Sequence, residues 1–165
     1  MSTRKLVAMA MLVSIGVMGS AFIWFPAGVA KAYPVQHAIN VVAAVYFGPV
    51  GAVGVALMTA VIRIVTGTGS LLAIPGSVIG ALLAGLLYKM TNKIGMAVGG
   101  EVIGTGLLAS LAAVPFAKVF MGTEFGALFF VPAFFVSSLS GALIAWVIVK
   151  RIERNSVWIV DQSLK

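Results

Sequence analysis

Three polar side chains at the start of one predicted helix are the first candidates for specific chemistry in this chain. His37 and Asn40 are three residues apart, which places them on one face of a helix, and Gln36 is adjacent at the helix start. Polar groups within a strongly apolar segment are costly, so they are candidates for function. We therefore predict that Gln36, His37 and Asn40 contact a ligand. For His37, a structural hydrogen bond is the open alternative.

A second polar group surrounds Arg63, which is followed by Thr66, Thr68 and Ser70. Two interpretations of Arg63 stay open. Its guanidinium contacts a ligand, or its aliphatic stem extends to a membrane interface and leaves the charge in water. Thr68 is included among the candidate binding residues on the first interpretation.

Glu101 is an isolated acid within an apolar stretch. A buried carboxylate needs a partner or a proton. Pairing with Lys93, contact with an interfacial water and contact with a bound ligand are the three possibilities, and the sequence does not choose among them. On the third possibility, Glu101 is a candidate substrate-binding residue.

The residue inventory argues against an enzyme. There are no cysteines, one histidine and four acids, so disulfides, thiolate chemistry and a histidine-rich metal site are not expected. Ser77 follows Pro75-Gly76 and does not complete a Gly-x-Ser-x-Gly nucleophile elbow, and no phosphate-binding Gly-x-x-x-x-Gly-Lys motif is present. We predict no catalytic residues, no metal and no cofactor. An intramembrane enzyme is a minor alternative.

The elements that must position these residues are membrane helices. Of the 165 residues, 61% are hydrophobic and 9% are charged, and the mean hydropathy is +1.15. Soluble domains carry roughly 25% charged residues, and about 20 apolar residues cross a bilayer as a helix. The sequence predicts an all-α integral membrane protein with a single transmembrane domain, residues 1–165. Its six predicted spans are about 6–25, 37–47, 50–66, 71–88, 94–116 and 126–149, and a cytoplasmic tail covers 150–165.

The basic residues predict the orientation. Eight of the eleven fall on one side if the N-terminus is cytoplasmic, as the positive-inside rule requires. Both termini are therefore predicted to be cytoplasmic. The net charge of +7 is scattered over short loops, which does not indicate nucleic-acid binding. A cleavable signal peptide is the weaker interpretation of the first span, because about 20 apolar residues exceed the 7–15 of a signal.

Small residues four apart predict how the helices pack. Gly76, Gly80 and Ala84 share a face of the fourth span, and the pairs Gly95/Gly99 and Gly100/Gly104 do so in the fifth. Such faces let helix backbones approach closely. In the first span, Ala10-x-x-x-Ser14 and Gly16-x-x-x-Ser20 are candidate faces for docking a separate membrane partner.

A longer pattern links these motifs. Its most specific part is Pro34-Val35-Gln36-His37-x-x-Asn40-Val41. The rest comprises Phe25-Pro26, Phe47-Gly48-Pro49, Arg63, Thr66 to Gly69, Pro75-Gly76-Ser77, Gly80 to Gly85, Glu101 to Gly106, Pro115, Met121-Gly122, Pro132 and Ser137 to Gly141. With these residues the chain resembles the ThiW family, the thiazole-type substrate-binding S components of energy-coupling factor (ECF) vitamin transporters, from about Leu6 to Arg151.

The resemblance implies a six-helix S component that binds a vitamin or vitamin precursor near the extracellular face. It also implies docking on a transmembrane coupling subunit joined to two ATPases. The implied ligand is the thiamine precursor hydroxyethylthiazole. S components commonly dock through Ala-x-x-x-Ala on the first helix, and the nearest equivalents here are Ala10-x-x-x-Ser14 and Ala8-x-x-x-Leu12.

A flat neutral heterocycle needs an aromatic wall and a few hydrogen-bonding groups. Trp24, Phe25 and Tyr33 are predicted to form the wall, while Gln36, His37 and Asn40 hydrogen-bond the ring nitrogen and hydroxyl. Arg63 is superfluous for a neutral ligand, which leaves open a phosphorylated or carboxylated ligand, or a role in ordering the loop before the second span. An S component for a different vitamin or precursor also fits the sequence. So does a stand-alone carrier, which predicts a polar stripe through the whole bundle.

Overall fold

Helices make up almost all of the computed structural model, which describes residues 2–28, 30–124, 126 and 128–155. A π-helical segment, Gly104–Ala109, joins α4 to α5 without a break. The elements in chain order are α1 (Thr3–Phe22), β1 (Phe25–Ala27), β2 (Ala30–Ala32), α2 (Pro34–Val65), α3 (Ala73–Thr91), α4 (Ile94–Ile103), α5 (Ser110–Met121) and α6 (Val131–Asn155).

Five helical stretches among the described residues are long and apolar enough to cross a membrane. They are α1, α2, α3, the continuous stretch Ile94–Met121, and Val131–Glu153 within α6. The predicted all-helical membrane class is therefore confirmed. Five continuous helices stand where the sequence predicts six spans, because the second and third predicted spans are the two halves of α2.

The two halves of α2 run in opposite directions. Gly48 interrupts the helix with φ 72° and ψ −175°, a conformation that glycine adopts without strain, and Pro49 starts the second half. The Arg63 guanidinium nevertheless hydrogen-bonds the Gln36 side chain. In a straight helix these residues would be about 40 Å apart. The chain therefore folds back at Gly48, and residues 34–47 and 49–65 form a helical hairpin.

Several boundaries differ from the predicted spans. Helix α1 ends at Phe22 because Phe25 enters β1, which pairs antiparallel with β2 through Phe25 and Ala32. The fifth stretch continues to Met121. Helix α6 begins at Val131 rather than 126 and continues to Asn155, so the predicted tail starts within a helix. The rest of that tail, 156–165, lies outside the described residues.

Glycine lets α3 and α4 approach each other at backbone distance. A Cβ built on Gly100 would lie 2.8 Å from the Cα of Ala84, and one on Gly104 would lie 2.8 Å from the Cα of Gly80. The predicted packing of this pair is confirmed. The same prediction for Gly95 and Gly99 is wrong, because no atom would lie within 4 Å of a Cβ on either. These two glycines face away from α3.

Helix α1 packs on the α2 hairpin through Gly16 and Ser20, its buried residues. A Cβ on Gly16 would lie 3.0 Å from the Thr59 side chain. Gly16 and Ser20 therefore pack against α2 of the same chain, which contradicts their interpretation as a partner-docking face. Ala10 and Ser14 are exposed, and the Ser14 hydroxyl donates to the Ala10 carbonyl within the helix.

Candidate substrate-binding cavity

A cavity of about 260 Å³ lies at the end of the bundle beside β2 and the first turns of α3 and α6. Lys31, which is exposed, is part of its lining, so the cavity reaches the surface at this end. The remaining lining residues come from β2, from α2, α3 and α6 with their adjoining loops, and from the π-helical segment. They are Ala30, Tyr33, Gln36, His37, Arg63, Ser70, Leu72, Ala73, Gly76, Thr105, Phe130, Ala133, Phe134 and Ser137.

Aromatic rings form one side of the cavity. Phe130 and Phe134 are one helical turn apart, with ring centroids 5.9 Å from each other. Gly76 of α3 makes room for Phe134, because a Cβ at this position would lie 3.2 Å from the phenyl ring. Tyr33 is the third aromatic residue of the lining. The wall is therefore suited to a flat apolar ring.

Arg63 is buried beside this wall, with 1% of its surface exposed. Its guanidinium donates to the Gln36 side-chain oxygen and, over 3.0 Å, to the Thr68 carbonyl. It also lies 4.0 Å from the centre of the Tyr33 ring, a cation–π geometry. These contacts hold the side chain inside the bundle, so the interpretation of Arg63 as a residue that extends to the membrane interface is wrong.

A buried hydrogen-bond network continues from Arg63 towards the middle of the bundle. The Gln36 amide donates to the Ser77 hydroxyl, and the Asn40 amide donates to the Ser77 carbonyl over 3.2 Å. The same Asn40 nitrogen donates to Oε1 of Glu101 over 3.0 Å. Because Gln36, Asn40, Ser77 and Glu101 are each less than 5% exposed, the network lies out of water.

The buried partner of Glu101 is His37. Nδ1 of His37 lies 2.7 Å from Oε1 of Glu101, which is fully buried. Thr105 places its hydroxyl 3.1 Å from the same oxygen and 3.0 Å from the Gly76 carbonyl. Lys93 is exposed at the start of α4, so a Lys93–Glu101 pair is wrong.

Glycine at position 80 makes the burial of Glu101 possible. A Cβ built on Gly80 would lie 2.9 Å from Oε2 of Glu101 and would overlap the Thr105 hydroxyl. Oε2 has no hydrogen-bond partner among the described residues. The close crossing of α3 and α4 is thus also the place where the carboxylate is enclosed.

The eight predicted substrate-binding residues separate into three sets. Tyr33, Gln36, His37 and Arg63 line the cavity. Glu101 lies directly behind His37 and is hydrogen-bonded to it, and Asn40 is hydrogen-bonded to Glu101.

Trp24 and Thr68 are outside the lining. Trp24 is 44% exposed, and its ring lies 3.9 Å from the Lys31 ammonium. Thr68 holds Arg63 through its carbonyl, and its hydroxyl lies 3.1 Å from that of Thr66. No group of three metal-ligating side chains occurs in the described part of the chain.

Several lining residues were not predicted. Ser137 accepts a hydrogen bond from the Tyr33 backbone over 2.8 Å. Phe130 and Phe134 are indistinguishable in sequence from aromatic residues that face lipid. Their spacing of four residues, next to a serine one turn later, is the only sequence signal for this face.

Comparison with known proteins identifies the family. The profile of the thiamine-precursor transporter proteins, ThiW, matches residues 6–155. The chain belongs to the ThiW family. The predicted resemblance is confirmed, and this member is a transport protein rather than an enzyme, located in the plasma membrane with several membrane crossings.

A solved structure shares the fold of this ThiW chain. It is the S component of a bacterial ECF transporter, with a TM-score of 0.77 and 16% sequence identity. The match covers 94% of this chain and 98% of the other. No curated protein matches the sequence.

Proposed function

We propose that this ThiW protein is the substrate-binding S component of an ATP-driven ECF importer and that it captures hydroxyethylthiazole from outside the cell. The observation that carries the proposal is the cavity of about 260 Å³, with an aromatic side and a few buried hydrogen-bonding groups. Pockets for drug-sized ligands measure about 300–1,000 Å³. A smaller cavity fits a compound with a single five-membered ring.

The cavity has groups that match the two ends of hydroxyethylthiazole. The Ser137 hydroxyl accepts from the Tyr33 backbone, so its own proton is available to donate to the ring nitrogen. His37 provides a ring nitrogen for the hydroxyl of the ligand. The aromatic side chains Phe130 and Phe134 lie where they can pack on the thiazole ring.

The distribution of charge supports an outward-facing cavity, six crossings and cytoplasmic termini. Lys31 and Lys118 lie at the cavity end of the bundle, with Lys31 in the cavity lining. The opposite end carries more basic residues, and Lys5 there lies 6.0 Å from the Phe47 ring, next to the reversal of α2. The others at that end are Arg4, Lys89, Lys93, Lys150 and Arg151. On the positive-inside rule the end opposite the cavity is cytoplasmic.

The proposed partners are the transmembrane coupling subunit and two ATPases of an ECF importer. Support comes from the similarity in fold to an S component and from the exposed surface of α1. Ala10 and Ser14 lie on that surface, between the exposed side chains of Val7, Met11 and Met18. We propose this face of α1 as the docking surface, in addition to its contact with lipid.

The decisive experiment is calorimetric titration of the purified protein in detergent with hydroxyethylthiazole. Thiamine and its pyrimidine precursor are the comparison ligands. We expect saturable binding of the thiazole at one site per chain and none of the pyrimidine. Binding of a different compound alone would assign the S component to another vitamin or precursor.

The stand-alone carrier is separated by a second measurement on the same protein. Reconstituted in vesicles without other subunits, an S component binds the thiazole but does not accumulate it. Uptake by the chain alone would contradict the ECF assignment.

An anionic ligand is the second candidate, because Lys31 and Arg63 are both in the lining and no carboxylate of the described residues is. The phosphate ester of hydroxyethylthiazole tests it in the same titration. Tighter binding of the ester than of the alcohol would favour this candidate.

A further inference from the structure

The imidazole of His37 separates the cavity from the buried carboxylate. His37 lines the cavity with 6% of its surface exposed, while its Nδ1 lies 2.7 Å from Oε1 of Glu101. The other ring nitrogen, Nε2, has no hydrogen-bond partner among the described residues. Nε2 is therefore the atom that His37 offers to a ligand.

The surroundings of Glu101 determine which nitrogen carries the proton. Oε1 already accepts a hydrogen bond from the Asn40 amide and faces the Thr105 hydroxyl, so it acts as an acceptor. A carboxylate oxygen that accepts requires a proton on the atom facing it. The Nδ1 of His37 is thus the protonated nitrogen, and in the neutral ring Nε2 is an acceptor.

Charge balance favours the neutral ring. Besides His37, Arg63 and Glu101 are the ionisable side chains buried in the described network, and they are linked through Gln36, Ser77 and Asn40. With Glu101 as the carboxylate that accepts these hydrogen bonds, one cation and one anion cancel. A second proton on His37 would leave an uncompensated positive charge away from water, which is costly.

We infer that Glu101 is a positioning residue that fixes the Nδ1–H tautomer of His37, so that the cavity recognises a ligand by a hydrogen bond that the ligand donates. The inference rests on the proposed function and makes it more specific. The substrate class is a neutral ring compound with a free hydroxyl. Arg63 then balances the charge of Glu101 and is not needed to bind an anion.

The first test needs no ligand. The chain has a single histidine, so labelling with ¹⁵N-histidine gives one pair of ring-nitrogen resonances in detergent. We expect Nδ1 to be protonated and Nε2 unprotonated in the wild type. The matched control Glu124→Gln removes an exposed acid that pairs with Lys118 and should leave both resonances unchanged.

In Glu101→Gln the carboxylate is replaced by a weaker acceptor that can also donate. We expect the two resonances to move towards each other as the Nε2–H tautomer becomes populated. A protonated Nε2 in the wild type would overturn the inference. Unchanged resonances in Glu101→Gln would overturn it as well.

The second test compares hydroxyethylthiazole with its methyl ether, which keeps the ring and the side-chain oxygen but cannot donate. We expect the ether to bind at least about tenfold more weakly to the wild type and to Glu124→Gln, because it leaves Nε2 without a partner. In Glu101→Gln the ratio should fall towards one. Equal affinities in the wild type would contradict the inference.

The two tests separate the inference from the proposed function. If neither compound binds but the resonances show the Nδ1–H tautomer and its dependence on Glu101, the proposed ligand is wrong and the positioning role stands. If the alcohol binds and the tautomer is the opposite one, the proposed function stands and the positioning role is wrong.

Discussion

Two helix crossings in this protein are formed by small residues, and they differ in which atoms lie opposite those residues. Where α3 crosses α4, Gly80 and Gly104 bring one backbone against the other, and Glu101 is enclosed at the crossing. Where α1 crosses the α2 hairpin, Gly16 faces the Thr59 side chain and Gly19 faces that of Val35. The opposite face of α1, which includes Ala10 and Ser14, is exposed.

The difference shows what a glycine at helical spacing does in each place. At the first crossing a side chain would meet backbone or a buried carboxylate, neither of which can move without loss. At the second the nearest atoms belong to the side chains of Thr59 and Val35. The α3–α4 crossing is therefore expected to be intolerant of substitution, and on α1 only the exposed face to be tolerant.

Removal of the enclosed carboxylate should have the largest effect. In Glu101→Ala the donors of His37, Asn40 and Thr105 lose their shared acceptor in a buried site. We expect the free energy of unfolding to fall by about 3–5 kcal/mol, measured by unfolding in detergent. Glu124→Ala, at an acid that is 79% exposed, should change it by less than about 0.5 kcal/mol. Similar losses in both variants would show that enclosing Glu101 at the α3–α4 crossing does not stabilise the fold.

A methyl group at the crossing itself should be the next most damaging change. In Gly80→Ala the Cβ would lie 2.9 Å from Oε2 of Glu101, so we expect a loss of about 1–3 kcal/mol. Gly99→Ala is the matched control on the open face of α4. It should leave stability unchanged or raise it by about 0.5–1 kcal/mol, because alanine favours the helix. The stabilities of both variants are compared with that of the wild type by unfolding in detergent. An unaffected Gly80→Ala would show that the α3–α4 crossing can relax.

Ser137 tests the cavity side of α6 with a smaller effect on the fold. Ser137→Ala removes the acceptor of the Tyr33 backbone and the proposed donor to the ring nitrogen. We expect thiazole affinity to fall roughly tenfold and stability by about 1 kcal/mol. Ser140→Ala, whose hydroxyl donates only within its own helix, is the control for calorimetry. An unchanged affinity in Ser137→Ala would exclude the serine from the ligand contacts.

The exposed face of α1 should give the smallest effect on the isolated protein. Ala10→Leu and Ser14→Leu point away from the bundle, so we expect no change in unfolding or in thiazole binding. Co-purification with the coupling subunit should be lost if this face docks it. Normal co-purification of both variants would place the docking surface elsewhere.

Much of the helical architecture follows from sequence, since apolar length and charged loops determine where membrane helices begin and end. Gly48-Pro49 was predicted to end a span, and the chain reverses there. The short strands β1 and β2 were not predicted, because three residues are too few for a periodic pattern. Gly95 and Gly99 show the limit of spacing arguments: spacing defines a face of the helix but not what lies opposite it.

The grouping of the candidate site residues was predictable where they are neighbours in the chain. Gln36, His37 and Asn40 share one turn, and the structure brings them together. The partner of Glu101 was not predictable, because His37 is 64 residues away in sequence and is brought near by packing. Phe134 was not predicted, because the sequence of an apolar helix does not show whether an aromatic side chain faces lipid or a cavity.

The reversal at Gly48 has a consequence for the surrounding bilayer. Residues 34–47 form a helix about 21 Å long, whereas a typical hydrocarbon core is about 30 Å thick. Every residue of this short half is buried or half-buried, so longer helices enclose it and little of its length faces lipid. Helix α1, with 20 residues, is about 30 Å long and largely exposed, so it meets the bilayer at its full thickness. The short half is therefore shielded from its mismatch with the bilayer.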